Sequence, residues 1–300
     1  MKVLCFGSLN IDYVYQVPHF AAAGETLAAA GLSRFSGGKG LNQSIALARA
    51  GMEVWHAGAV GTDGRFLLDE LQAAGVRTGL VEVLEDVRTG HAIIQKNAAG
   101  ENCILLYGGA NQCVTRERID RVLADFGPGD ALVLQNEISG LPYLTERARE
   151  RGMTIALNPS PMEDALLPLL SAVDYLLLNE VEAAQLLRGL GTPLPEAEEE
   201  MAALLREALP ETEVLLTLGG RGSVLAGRMR RRQEALPVRA VDTTAAGDTY
   251  TGYFLAGIFS GHDAGWSMEY ASSAASIAVT RHGAAPSIPV RGEVLPRMRG

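Results

Sequence analysis

Three hundred residues with 47% hydrophobic content can bury a large core, and the length allows one large α/β domain or two smaller ones. A formal net charge of −9 with scattered basic residues lacks the electrostatic footprint of a nucleic-acid binder, and the apolar run 166–178 is broken by Pro168 and Asp174 before it could span a membrane. Cys5, Cys103 and Cys113 are odd in number and lack metal-ligand spacing; with no signal-peptide pattern before Asp12, a cytoplasmic protein with reduced thiols is expected.

In chain order, Val3-Leu4-Cys5-Phe6-Gly7 reads as a first strand. Ser8-Leu9-Asn10-Ile11-Asp12 leaves it with Asn10 and Asp12 on one face. That pair suits vicinal hydroxyls, because a carboxylate accepts two hydrogen bonds, although it also fits a turn. Residues 12–36 alternate, turn through a Pro/Ala/Gly stretch and alternate again. Gly37-Gly38-Lys39-Gly40 lets backbone approach a small polar ligand, and Asn42 offers both a donor and an acceptor to hydroxyls; a glycine turn capping the next helix would look the same. The outline of a dinucleotide fingerprint in this segment fails at Gln43, where a third small residue is needed, and no P-loop motif occurs.

Helical spacing over 41–50 and 64–74 encloses a strand at 54–60, and residues 89–107 alternate around a turn at 97–102. Strands at 131–134, 154–157, 175–178 and 214–218 then alternate with helices at 141–151, 181–187 and 201–208, which predicts a parallel sheet covered on both faces. The helix-free segments 12–36 and 89–107 predict a small separate sheet serving as a lid or an interface. The acidic run 196–200 reads as a solvated first helical turn and the basic run 228–232 as a solvated hairpin. Long helices close the chain over 247–259 and 264–281.

The most chemically suggestive run is Val241-Asp242-Thr243-Thr244-Ala245-Ala246-Gly247-Asp248-Thr249, where small residues meet a helix start. The first N–H groups of a helix lack intrahelical partners, so a phosphate can sit against residues 245–248. The Asp248 carboxylate would repel that anion but could take a proton from an incoming hydroxyl, which points to phosphoryl transfer. Taken alone, the run could also be only an N-cap followed by a close helix contact.

Gly37 through Asn42, with Ser44, Gly51 and Gly61, resemble the first signature of the PfkB (ribokinase-like) carbohydrate kinases, and residues 242–248 resemble the heart of the second. Further similar landmarks, among them Gly109-Ala110-Asn111, Asn158-Pro159, Asn179-Glu180-Val181-Glu182 and Thr217-Leu218-Gly219-Gly220-Arg221-Gly222, extend the resemblance over essentially the whole chain. Tyr253 departs from it, standing where the second signature usually has Ala or Gly.

The resemblance implies a single three-layer α/β/α domain over 1–300, with a mostly parallel central sheet and a β-sheet lid formed by 12–36 and 89–107. It implies an ATP-dependent sugar kinase acting on a primary hydroxyl, with D-ribose the expected acceptor. A nucleoside kinase or another PfkB sugar kinase such as a fructokinase is the alternative, and a non-catalytic regulator on the same fold a more distant one. Asp248 corresponds to the general base, and the amides of Ala245, Ala246 and Gly247 to an anion hole. Asn10, Asp12, Gly38, Lys39, Gly40, Asn42 and Glu137 correspond to sugar contacts, although Lys39 could equally be a solvated turn residue. Asn179, Thr217, Gly219, Gly222, Gly247 and Ser272 correspond to nucleotide contacts. Asn179 and Glu182 correspond to a largely water-mediated Mg²⁺ site. Asp242 and Ser287, with carbonyls of Thr244, Ala278, Arg281 and Gly283, correspond to a monovalent-cation site, K⁺ being expected. A homodimer through the lid is also implied.

Overall fold

The computed structural model describes residues 1–298. In chain order its strands are β1 (Val3–Phe6), β2 (Asn10–Gln16), β3 (Gly31–Gly37), β4 (Val54–Gly61), β5 (Arg77–Leu84), β6 (Gly90–Lys96), β7 (Asn102–Tyr107), β8 (Ala131–Gln135), β9 (Thr154–Asn158), β10 (Tyr175–Asn179), β11 (Glu213–Thr217), β12 (Ser223–Ala226) and β13 (Arg230–Gln233). The α-helices are α1 (Lys39–Arg49), α2 (Arg65–Ala73), α3 (Arg116–Leu123), α4 (Leu141–Glu150), α5 (Glu180–Gly189), α6 (Met201–Ala208), α7 (Ala246–Phe259), α8 (Ala264–Ala278) and α9 (Arg291–Val294).

Nine strands form one sheet in the order β13-β12-β11-β10-β9-β8-β1-β4-β5, parallel from β11 to β5 and antiparallel only at the β12–β13 edge. The central strands are apolar on both faces because helices cover both. Along β1 the period of two divides the side chains cleanly. Leu4 and Phe6 join the core that includes α3 to α6, whereas Val3 and Cys5 join the core that includes α1, α2, α7 and α8. The result is a three-layer α/β/α body. A second, four-stranded sheet, ordered β3-β2-β6-β7, takes its strands from the two helix-free segments.

Three details depart from the sequence expectations. β5 extends the sheet beyond β4 although 77–84 carried no clear strand signal; it lies at the sheet edge, where its residues are only partly buried. α8 stops at Ala278, because the chain tightens into bonds from the amides of Thr280 and Arg281 back to Ile277 and Ala278 and then turns at Gly283, with φ 86°. The basic run does form a hairpin arm, but as the outer strand of the large sheet, where exposed arginines discourage further strand addition.

The α1–α7 packing matters most for the site. A Cβ at Gly252 would lie 2.4 Å from Ala46 Cβ, so only glycine lets these helices approach this closely. Tyr253, the departure noted above, points away from the site; its hydroxyl donates to Pro289 O at 2.7 Å and its ring packs edge-on against Tyr270. Among the described residues no helix is long and apolar enough to cross a membrane.

Candidate active site

The carboxyl ends of successive parallel strands carry a row of polar side chains. Gln135 pairs in register with Asn158, and Asn179 with Thr217, at the ends of β8, β9, β10 and β11. Open α/β sheets bind ligands at this edge. A cleft of about 410 Å³ lies at the opposite, amino ends of β9 to β11, away from these groups.

Next to that row, β1 runs into β2 and brings the first group of expected residues together. Asn10 lies beside Gly37 of β3 and Gly90 of β6, and its Oδ1 accepts from Asn111 Nδ2 at 2.7 Å. A Cβ at Gly37 would fall 2.3 Å from Asp12 Oδ2, so the glycine is what admits the carboxylate. Burial and the nearby Glu137 carboxylate push Asp12 up to about 6. Gly38, with φ 95°, packs against the Ser8 carbonyl and opens α1; Gly40 packs on the Ser8 amide so closely that any side chain would collide.

Glu137 Oε2 accepts from the Ser8 hydroxyl and, at 3.1 Å, from the Lys39 amide. Burial raises the Glu137 pKa above the ordinary carboxylate value despite these donors and the nearby Lys39 charge. The Lys39 ammonium is desolvated, yet Asp248, Glu137 and Glu182 outweigh that cost and hold its pKa high. It therefore lies in the electrostatic field of three carboxylates.

Asp248 sits in the first turn of α7 and is 9% exposed. Its Oδ2 accepts from Asn42 Nδ2 at 3.0 Å and its Oδ1 from Gln43 Nε2 at 2.9 Å. Ala245, with φ 58°, is the one non-glycine residue in the left-handed region among the described residues. That conformation costs about 1–2 kcal/mol and points to a turn held by its surroundings. Of the amides expected to form an anion hole, that of Ala246 donates to Thr243 O at 3.2 Å, whereas those of Ala245 and Gly247, like that of Asp248, have no acceptor among the described residues. Gly247 is exposed and a Cβ there would meet nothing within 4 Å, so the free helix start faces open space.

At the other end of the row, Asn179 and Glu182 form a reciprocal capping box. Asn179 Oδ1 accepts from the amides of Val181 and Glu182, each at 2.9 Å, and Glu182 Oε2 accepts from the Asn179 amide at 3.1 Å. Both lone pairs of the Asn179 oxygen are thus committed, which corrects its expected place among the metal ligands: it holds Glu182 in position instead. Gly222 is also structural, since a Cβ there would lie 2.0 Å from Gln233 O. Thr217 Oγ1 donates to Leu178 O at 3.4 Å, and Gly219 stands open to solvent. Ser272 lines a recess with Gln233, Glu234 and Leu236, and its hydroxyl donates to Glu234 O at 3.3 Å.

The expected cation-site residues are partly gathered. Asp242 Oδ1 accepts from the Thr244 amide and hydroxyl at 3.0 and 2.6 Å, and Oδ2 from the Gly283 amide at 3.0 Å. Burial works to raise this carboxyl's pKa, but these donors outweigh it and keep it low. Ser287 Oγ donates to Ala284 O at 2.7 Å, and the Ala278 carbonyl accepts from the Arg281 amide at 3.0 Å. The Arg281 side chain turns away to Glu293. The set therefore joins two loops through hydrogen bonds. Among the described residues, no cluster of three or more His, Cys, Asp or Glu side chains has metal-binding geometry.

Sequence reasoning missed Ser8, Gln43, Asn111 and Gln135 as site residues. The available signal was three polar residues in succession, Asn42-Gln43-Ser44, in the buried stretch 40–47 of a helix whose neighbouring positions there are glycine or apolar.

A parallel α/β sheet with an open helix start, a fixed carboxylate beside it and the polar side chains of Asn10, Asp12 and Glu137 nearby defines a site suited to moving a phosphoryl group onto an alcohol. Residues 1–291 match the pfkB family carbohydrate kinase profile, and the chain belongs to that family. It is 35% identical to the ribokinase of Staphylococcus aureus (strain COL), covering 98% of each chain. The solved ribokinase of Cryptococcus neoformans var. grubii serotype A in complex with ADP is similar at 32% identity and TM-score 0.87, with 99% of each chain covered. Arabidopsis thaliana ribokinase complexed with ribose and ATP is similar at 28% identity and TM-score 0.86, covering 100% of this chain and 98% of that one.

Proposed function

We propose that this carbohydrate kinase transfers the γ-phosphoryl group of ATP to the 5-hydroxyl of D-ribose, giving ribose 5-phosphate. The carrying observation is the Asp248 carboxylate, fixed by Asn42 and Gln43 beside the free amides of Gly247 and Asp248. Asp248 takes the proton of the attacking hydroxyl, and those amides, with Lys39 nearby, offset charge on the transferring group. Asn10 and Asp12 hold the ring hydroxyls at the base of the small sheet. Glu137 anchors Ser8 and the Lys39 amide, shaping the turn that the sugar rests on. Thr217, Gly219 and Ser272 border the nucleotide. The likeness to a ribokinase solved with ribose and ATP supports this acceptor.

Mg²⁺ keeps most of its water and lies on substrate phosphates, so the donor set it needs from protein is small. Glu182, nearly buried and within electrostatic reach of Lys39, fits that role through water; the ion's contribution is to neutralise phosphate charge. The carboxylate and carbonyl oxygens around Asp242 and residues 278–287 are the hard donors a K⁺ ion takes, and an ion there would brace the loop leading to Ala245. The small sheet serves as a lid and as the interface of a homodimer, and the enzyme is cytoplasmic, in keeping with its free cysteines.

The test is ADP release with Mg²⁺, with and without K⁺, over ribose, 2-deoxyribose, fructose, adenosine and uridine. Ribose should give the highest kcat/KM. A nucleoside preference would overturn the acceptor while leaving the phosphoryl chemistry standing.

A further inference from the structure

Behind Asp248 lies a buried chain of amide side chains whose orientation is set from a single backbone carbonyl. Leu177 O can only accept, so Asn158 must turn its Nδ2 toward it, at 2.9 Å. Asn158 Oδ1 is then an acceptor and accepts a hydrogen bond from Gln43 Nε2 at 3.1 Å. That fixes the Gln43 amide: its other N–H goes to Asp248 Oδ1 at 2.9 Å, and its Oε1 accepts from Gln135 Nε2 at 2.7 Å. Gln43 and Gln135 are both 0% exposed. A Cβ at Gly7 would lie 2.2 Å from Gln135 Oε1, so the pocket that seats Gln135 exists only because residue 7 is glycine.

We infer that Gln43 is a positioning residue for the phosphoryl-transfer base: through its two N–H groups it locks the plane of the Asp248 carboxylate against β9, with Gln135 holding Gln43 in the required orientation. The inference rests on the assignment of Asp248 as the base. An amide suits this task because it donates to the carboxylate at every working pH and cannot itself take the proton. With Asn42 on Oδ2 and Gln43 on Oδ1, each oxygen receives one fixed donor, leaving a lone pair of Oδ2 for the incoming hydroxyl. A free carboxylate would rotate about its terminal bond, and a displacement of about 1 Å at a reacting atom costs on the order of 100-fold. The bonds running from Leu177 O fix the Gln43 amide in one orientation, although Gln135 Oε1 is itself buried without a partner, so loss of the Gln135 donor frees Gln43 to flip and present its oxygen to Asp248.

The experiment compares kcat, KM and the acid limb of the kcat–pH profile for Gln43→Glu, Gln43→Leu and Gln135→Met, with Asp248→Asn as reference. Charged or titratable groups near Asp248 are Lys39 from the start of α1, Glu137 from the loop after β8 and the buried Cys5 of β1, with Glu182 of α5 facing Lys39; all are unchanged in these variants. Gln43→Glu sets a second carboxylate where the amide stood, so the two share a proton and the acid limb should move up by about one pH unit or more. Gln43→Leu should lose roughly 10–100-fold in kcat with both KM values within about threefold of the parent, and Gln135→Met should lose less. Should Gln43→Leu fail to fold, the isosteric Gln43→Glu carries the test through its pH profile. An unchanged acid limb in Gln43→Glu, or an unchanged kcat in Gln43→Leu, overturns the inference. Normal turnover by Asp248→Asn would instead remove the base assignment itself, so the two failures are separable.

Discussion

Asp12 combines two demands that oppose each other at the level of one side chain. Its carboxylate is desolvated and close to Glu137, where the proposed contact with sugar hydroxyls would need it, and that placement lifts its pKa from 3.8 to about 6. Because the folded protein binds this proton more tightly than the unfolded chain, Asp12 adds stability below about pH 4 and loses that contribution as pH rises through 6. Asp12→Asn should therefore raise the melting temperature of the ligand-free protein at pH 7.5, with the difference from the parent vanishing near pH 4 in thermal melts. The same variant should raise the ribose KM by roughly 10–100-fold, the scale of a lost charged hydrogen bond. In the parent, ribose binding should weaken as pH falls through 6, because a protonated Asp12 accepts fewer hydrogen bonds. A lower melting temperature in Asp12→Asn at neutral pH would contradict the strain assigned to this carboxylate.

Elements place these residues, and here the sequence was legible unevenly. The parallel core could be read from apolar runs spaced by helical periods, since strands buried on both faces have no alternative pattern. The edge strand β5 could not, because half-exposed side chains at 77–84 carry neither a clean alternation nor a buried run. At the site, Asp248 and Asn42 stood out because small residues and glycines beside them open a helix start to a ligand, whereas Lys39 was named only through the family resemblance. Gln43 and Gln135 escaped because a glutamine in a helix or strand looks solvated until its partners, 92 residues apart, are known to meet. Asn179 was read as a ligand although its oxygen caps α5, since capping and coordination use the same atom. Asn179→Ala should accordingly cost about 1 kcal/mol in denaturant melts, as loss of an N-cap does, and lower activity through Glu182. Gly222→Ala should cost more than that, because the left-handed φ of 90° and the contact with Gln233 both oppose a side chain.

For the whole molecule, the small sheet is the least self-sufficient part. Register places Phe35, Ala92 and Leu106 on the same face as Asp12, with Ile104 next along it, and Phe35, Ile104 and Leu106 are exposed. Such a face asks for a cover, and in the proposed homodimer a second copy of the sheet would provide one. Ile104→Asp combined with Leu106→Asp should convert a dimer to a monomer by light scattering at micromolar concentration; a monomeric parent protein would remove the dimer proposal. The kinase reading itself depends on one carboxylate at the start of α7. Its most direct test is the turnover of Asp248→Asn with ribose and MgATP, alongside nucleotide binding by calorimetry. A fall in kcat of at least about 1000-fold, with nucleotide affinity retained, is the result expected of a lost general base; turnover within tenfold of the parent would contradict it.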